Sequence, residues 1–240
     1  TYDQLQSIRP YYDFRDIDID RYTINGKYRQ VMISARELTQ SQLPTQAQTW
    51  VNLKLVYTHG YGVAMSPVNE ILADGSPNFL VKNIPPVGEV KVERGGIYFG
   101  EKMDGYVIVR TRLPEFDYPL GDQNATTRYD GVDGVSVGGL LNRLLFALRF
   151  SDVNLLLSDA IQSESRVLMH RNIQERIRLL APFLTLDDDP YIAIVDGRLI
   201  WVQDAYMATD RFPFSQPYQG RLNYIRNSVK VAVDAYDGTT

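Results

Sequence analysis

Apolar positions recur along this chain at two intervals, and the changes of interval mark out its elements. Between residues 12 and 22, Ile17 and Ile19 alternate with Asp16, Asp18 and Asp20. A period of two puts one apolar face on an exposed or edge strand. A second strand is predicted over 28–36, "YRQVMISAR", after a turn at Gly26. In 45–57, Trp50, Leu53 and Tyr57 fall at helical spacing, with Thr45 as a cap behind Pro44. Short strands follow in "NFLVK", "EVKVER", "GIYFG" and "GYVIVRT", punctuated by Pro85-Pro86 and Gly95-Gly96. Residues 114–139 read as a loop, and a loop of that length is uncommon without a role or a partner.

The second half reads as more helical. Leu140–Phe150 is predicted to be a helix buried on most sides. A further helix is expected over 164–181, where Met169, Ile173, Ile177, Leu180 and Leu184 step by three or four, with Ser163 as cap and Pro182 at its end. In "YIAIVDGRLIWV", two β-branched runs flank Asp196-Gly197, the signal of a two-residue type I′ hairpin. The closing "SVKVAVDAYDGTT" alternates at Val229, Val231 and Val233 and reads as the first strand of another hairpin. With Thr1 in place of a starting Met, the chain reads as a piece of a longer protein. The fold expected is α+β, with antiparallel β-hairpins and short sheets packed with two or three helices. It forms one soluble unit over 1–240, or two closely joined lobes, β-rich to about 134 and helical plus hairpins beyond.

Composition narrows the chemistry. The net charge of −4 argues against nucleic acid, which demands a concentrated basic surface. With no cysteine, thiolate metal sites, iron–sulfur clusters and cysteine nucleophiles are excluded. Two histidines, His59 and His170, are too few for a three-histidine centre. Arg143, Arg149 and Asp152 interrupt the most apolar stretch, 140–157, so no span of membrane length is present in the sequence.

The remaining candidates are few. His59, in "LVYTHGYGVAMSPVN", is a base candidate, with Tyr61, Ser66 and Asn69 close behind as a ligand or partner surface. Glycines and Ser-Pro around it equally suit a tight loop. "GVSVG" matches G-x-S-x-G, with Ser136 as nucleophile and Asp152 or Asp159 and His170 in hydrolase order. No buried strand precedes it, however, and glycines turning into a helix, with Ser136 helping to cap it, explain the same letters. His170 shares a predicted helix face with Arg166, Gln174 and Arg178, a pattern that more often makes a solvated face. Asp13, Asp16, Asp18 and Asp20, Asp130 and Asp133, and Asp187, Asp188 and Asp189 are oxygen-ligand clusters of the kind calcium takes. Solvated turns and caps are the commoner source of such clusters, so the cofactor expectation is none, with calcium as the alternative.

Several long stretches carry a resemblance: "RPYYDFRDIDIDRY", "RQVMISARELTQSQLPTQAQTWVNLKLVYTHGYGVAMSPVN", "NRLLFALRFSDVNLLLS", "APFLTLDDDPYIAIVDGRLIWVQDAY" and "NYIRNSVKVAVDAYDGT". Together they resemble uncharacterised protein family 0182, large bacterial multi-pass membrane proteins with an extracytoplasmic portion. The resemblance implies that this chain is the first part of that portion, facing the cell envelope. Its partners would be the remainder of its own membrane-embedded chain and other envelope proteins or glycans. It implies no reaction, cofactor or catalytic residue. The leading expectation is therefore a non-catalytic interaction or assembly module. The alternatives are an envelope hydrolase acting on glycan or ester bonds, and a calcium-stabilised ligand-binding module.

Overall fold

Alternation at the N-terminus does build a sheet, but the core it covers is assembled from the whole chain. The computed structural model describes residues 1–121, 123–220 and 222–240. Its first third holds helix α1 (Tyr2–Gln6) and strands β1 (Tyr12–Asp13), β2 (Asp18–Ile24), β3 (Lys27–Ala35), β4 (Glu37–Leu38), β5 (Gly60–Tyr61), β6 (Val63–Pro67) and β7 (Val81–Lys82). The middle holds β8 (Val87–Gly88), β9 (Gly96–Ile97), β10 (Val107–Val109), β11 (Glu115–Leu120), β12 (Gln123–Thr127), β13 (Val135–Ser136), α2 (Leu140–Phe150) and α3 (Asn154–Leu157). The rest holds β14 (Arg166–Leu168), α4 (Ile173–Leu180), β15 (Thr185–Leu186), β16 (Tyr191–Val195), β17 (Arg198–Thr209) and β18 (Tyr224–Asp234). The expected α+β class, with short antiparallel sheets and a few helices, is what the chain forms.

Two sheets dominate. One runs β2-β3-β6-β7-β8; in the other, β16 and β15 pair along one edge of β17 and β18 along the other edge. The β16–β17 hairpin matches its sequence reading. Tyr191 pairs Val202 and Val195 pairs Arg198, with Asp196 and Gly197 at φ 49° and 77° between them, the left-handed pair that a type I′ turn needs. Large side chains from both ends of the chain meet in one core, among them Ile33, Met65, Phe99, Ile177, Trp201 and Val233. Trp201 is buried and donates its Nε1 hydrogen to the Phe99 carbonyl at 2.9 Å, so its one polar atom is answered. A smaller core of Leu55, Tyr106, Ile108, Phe146 and Leu155 lies under α2 and α3.

Several elements differ from the sequence reading. Residues 45–57 are helical only in part: a short 3-10 helix at Thr45–Ala47 and, after one helical step at 50–51, a π-helix at Asn52–Val56. Side chains take over the backbone there: Gln40 donates to the Leu53 and Tyr57 carbonyls, and Asn52 to that of Ala47. "EVKVER" pairs only by isolated bonds, such as Glu93 N–H to the Gly197 carbonyl. The expected loop at 114–139 contains the β11–β12 hairpin, whose bulge between Phe116 and Tyr118 breaks the period-two signal.

The expected helix at 164–181 is a strand followed by a shorter helix. Val167 and Leu168 pair with β10, the chain reverses at His170 (φ 51°), and Asn172, rather than Ser163, caps α4 by accepting from Glu175 N–H at 3.0 Å. Of the proposed apolar stripe, Ile173 and Ile177 are buried while Leu180 is exposed. Helix α2 departs most: only Phe146 and Ala147 are buried, and five of its leucines face outward. Finally, β18 closes a long hairpin with β17 that precedes it, so it is the second strand of that ribbon.

Candidate functional site

The loop around His59 is built by backbone contact. Gly60 pairs with Ile97, and a Cβ at Gly60 would stand 2.5 Å from the Arg36 carbonyl, so only glycine lets the two segments approach. His59, the residue before it, is fully buried, at 0% exposure. Its Nδ1 lies 2.9 Å from Thr58 Oγ1 and its Nε2 3.2 Å from Asp117 Oδ1, and its ring stacks on Tyr98 with centroids 4.3 Å apart.

Behind it, Glu115 collects the remaining donors. Thr58 and Tyr98 hydroxyls donate to Oε2 at 2.6 and 2.8 Å, and the Tyr129 N–H donates to Oε1 at 2.9 Å. Burial, then the Glu115 charge, hold the Tyr98 phenol well above its ordinary range. Both carboxylate oxygens and both imidazole nitrogens are answered within the protein. The arrangement ties β11 to the segments that flank β5 and β9 and leaves His59 without exposed surface.

The other candidates separate in space. Tyr61 is half-buried against Tyr118 at the wall of a small cavity of about 220 Å³ shared with Asp117 and Tyr236. Ser66 is fully buried on β6 and hydrogen-bonded to the Tyr2 hydroxyl at 2.8 Å. Asn69 is exposed beyond the end of β6, so these three do not form one surface. Ser136 is exposed at the end of β13, where it pairs with Arg166, with residues 137–139 between it and α2 and without the left-handed φ of a strained turn. Gly139, not Ser136, occupies the cap position of α2; the Ser136 carbonyl instead accepts from the Asn142 side chain at 2.9 Å. His170 precedes α4 and binds Glu175 Oε1 at 2.7 Å, with Arg149 at 3.3 Å. No helix face carries it beside Arg166, because Arg166 is on a strand.

The acidic groups are likewise dispersed. Asp130 meets Arg94 at 2.8 Å and the Tyr236 hydroxyl at 2.7 Å, which holds its carboxyl below the ordinary range. Asp133 pairs with Arg176 at 3.0 Å. Asp187 accepts from the Tyr206 hydroxyl at 2.6 Å and from Asp189 N–H at 3.1 Å, while Asp188 and Asp189 are exposed. Asp18 is different: buried, it accepts from Ile192 N–H at 2.9 Å, and burial pushes its carboxyl up to about 7. Among the described residues, no three His, Asp or Glu side chains converge to hold a metal ion.

A concentration of buried charge lies elsewhere, where sequence reasoning did not look. Between β1, the end of β4 and the segment after β9 is a cavity of about 410 Å³, lined by Asp13, Arg15, Thr39, Glu101, Lys102 and Arg171 among others. Glu101 is buried, with Asp16 and Glu37 close by; burial first, then these charges, push its carboxyl up to about 8. Glu37, wholly buried behind the cavity, is pushed up to about 7 by burial and accepts from Lys102 N–H at 2.9 Å. No sequence signal could have found them, because Glu37, Glu101 and Arg171 stand in ordinary mixed-charge surroundings and burial of a charge leaves no periodicity.

Comparison with known proteins agrees with the chain-long resemblance. The model of the uncharacterised protein family UPF0182 matches residues 1–240. A UPF0182 protein of Pelotomaculum thermopropionicum is 56% identical over 240 residues, covering 99% of this chain and 26% of the relative. Those of Cupriavidus necator and Trichodesmium erythraeum are 54% and 49% identical, each covering 100% of this chain and 27% and 28% of the relative. The chain thus spans about a quarter of the length of the curated relatives it matches. No solved structure matches it. With its whole length matched by the family model and about half its residues shared with relatives from distant bacteria, this chain belongs to the uncharacterised protein family UPF0182.

Proposed function

We propose that this chain is a non-catalytic interaction module of a larger bacterial membrane protein, on the extracytoplasmic side, and that it docks onto the remainder of its own polypeptide. The outer face of α2 carries the reading. Leu140, Leu141, Leu144, Leu145 and Leu148 are all exposed, forming one stripe at steps of one, three, one and three, and Val153 and Leu157 extend it. Soluble monomers rarely leave a contiguous apolar patch larger than about several hundred Å² uncovered. Relatives about four times longer supply the chain that would cover it. The membrane and envelope setting comes from the family resemblance. The sealing of His59 and the dispersal of Ser136 and His170 favour binding over catalysis.

Hydrogen exchange across 140–157 tests this, comparing the isolated 240-residue chain with the full-length protein. Protection of α2 only in the full-length protein is expected. The pair Leu144→Asp and Leu148→Asp should lower the folded yield of the full-length protein, yet shift melting of the isolated chain by no more than about 1–2 °C. Equal exchange in both contexts would reject the reading. So would concentration-dependent dimerisation of the isolated chain through this face, which would assign it to a second copy.

A further inference from the structure

We propose that in the full-length protein the residues following Thr240 form a further strand, antiparallel to β18 along its open edge. This rests on backbone geometry and stands independently of the leucines of α2. The chain already turns back after β18. The Asp234 carbonyl accepts from Gly238 N–H at 2.9 Å, and the Asp234 N–H donates to the Thr239 carbonyl at 2.9 Å. Gly238 sits in the left-handed region at φ 69°. Two residues bonded to one across a turn, the first a left-handed glycine, make a bulge that opens an antiparallel hairpin.

The turn belongs to the body of the protein. The Asp234 carboxylate accepts from the Tyr236 and Asp237 N–H groups, each at 2.9 Å, and pairs with Arg198 at 2.7 Å. The Ala235 carbonyl accepts from the Tyr98 and Phe99 N–H groups at 2.8 and 2.9 Å. A Cβ at Gly238 would stand 2.7 Å from the Phe99 ring, so space and φ both select glycine there. Thr239 and Thr240 are thereby aimed along β18.

β18 pairs with β17 on one edge and, among the described residues, with no strand on the other. Along an antiparallel strand, successive residues direct their N–H and C=O groups to alternate sides. Ala235 N–H donates to the Leu199 carbonyl and Asp234 faces Thr239, so Val231 and Val233 turn toward β17 while Lys230 and Ala232 turn toward the open edge. A long bare edge is a liability that proteins cover or charge. The Lys230 charge, which could guard it, is tied to Asp204. Beside the last two residues lies a groove of about 340 Å³, walled by Ile200 and Ala232 among others. The first side chain past Thr240, opposite Ala232, would enter it.

Other occupants fit less well. A second copy pairing β18 against β18, or a foreign strand, meets Asp234 groups already bonded and must pass Thr239 and Thr240. The continuing chain meets neither obstacle, and with the turn closed it needs no further loop closure. Relatives about four times longer carry the chain to supply it.

Residue-resolved hydrogen exchange on the full-length protein tests this without any substitution. The Lys230 and Ala232 amides should exchange within about tenfold of the Val231 and Val233 amides, which β17 protects. Faster exchange than that overturns the proposal. A cysteine pair gives a second reading, in a full-length background cleared of other cysteines. Val231→Cys would face the second residue past Thr240 in a non-hydrogen-bonded pair, where Cα atoms lie about 4.5 Å apart and a disulfide can close. Cysteine at that second position should bridge to it within one molecule under mild oxidation. Cysteine at the first or third position, on the opposite face, should not. No bridge, equal bridging from the neighbouring positions, or a bridge joining two copies would each reject the added strand. Exchange over 140–157 reads the α2 face separately, so either proposal can fail alone.

Discussion

Two buried polar clusters meet at Thr58 and Tyr98, whose hydroxyls serve Glu115 and whose carbonyls serve Arg171, and they are finished to different degrees. Around His59, each imidazole nitrogen and each Glu115 oxygen has a partner inside the protein. Around Glu101, one oxygen is left over, an arginine goes without a counter-ion, and carboxylates crowd one another. Sequence attention falls on the first because histidine is rare here. The first is a closed structural network, and the second leaves Glu101 Oε2 buried without a partner. A fully satisfied buried network rigidifies what it touches, whereas each unpaired buried group in a partly satisfied one is costly.

That contrast can be broken by mutation, beginning where the expected effect is largest. Glu115→Ala strands the Thr58 and Tyr98 hydroxyls and the Tyr129 amide at once. Denaturant unfolding should show a loss of about 3–5 kcal/mol; a loss under about 1 kcal/mol would mean that the closed cluster is not structural. Next comes acidity. Glu37 rises from 4.5 to about 7, Glu101 from 4.5 to about 8 and Asp18 from 3.8 to about 7 on folding.

Because the folded state holds these protons more tightly, the stability they contribute is fully present below about pH 4. It is lost as pH climbs through 7 to 8. Glu37→Gln should flatten that decline, leaving the variant more stable than the parent at pH 8 by on the order of 3 kcal/mol. Melting curves across pH 5–8 that superimpose for variant and parent would refute the assignment. His59→Phe keeps the stack on Tyr98 but abandons Thr58 and Asp117, and should cost about 2 kcal/mol in the same unfolding assay. Ser136→Ala, at an exposed strand position, should change stability by less than about 0.5 kcal/mol. A larger effect would show that the G-x-S-x-G segment has a role which its exposure does not suggest.

Local signals in the sequence were legible where one short-range cause controls the backbone. Asp196-Gly197 sets its hairpin because type I′ geometry selects almost nothing else, and β2 and β3 follow their alternation. Long-range pairing hid the rest. Val167 and Leu168 fit a helical stripe, yet β10 recruits them as a strand. Helix α2 was visible as a helix, but its leucines gave no hint of direction, since a stripe toward a core and a stripe toward a docking partner share one period. Both histidines were easy to notice, but their partners, Asp117 for His59 and Glu175 for His170, were not. Glu101 and Arg171, separated by 70 positions, become neighbours only when the Gly100 amide donates to the Arg171 carbonyl.

The long β17–β18 ribbon carries a bulge that divides it into an inner and an outer arm. Leu199, Trp201, Gln203 and Ala205 face inward at every second position, and the register shifts between Ala205 and Tyr206, where that inward series ends. Parity on the near side is therefore decoupled from parity on the far side. An insertion or deletion of a residue in the outer arm, between Met207 and Ile225, leaves Trp201 pointing where it points now. Evolution is free to lengthen, trim or redecorate that arm while the core beneath keeps its count.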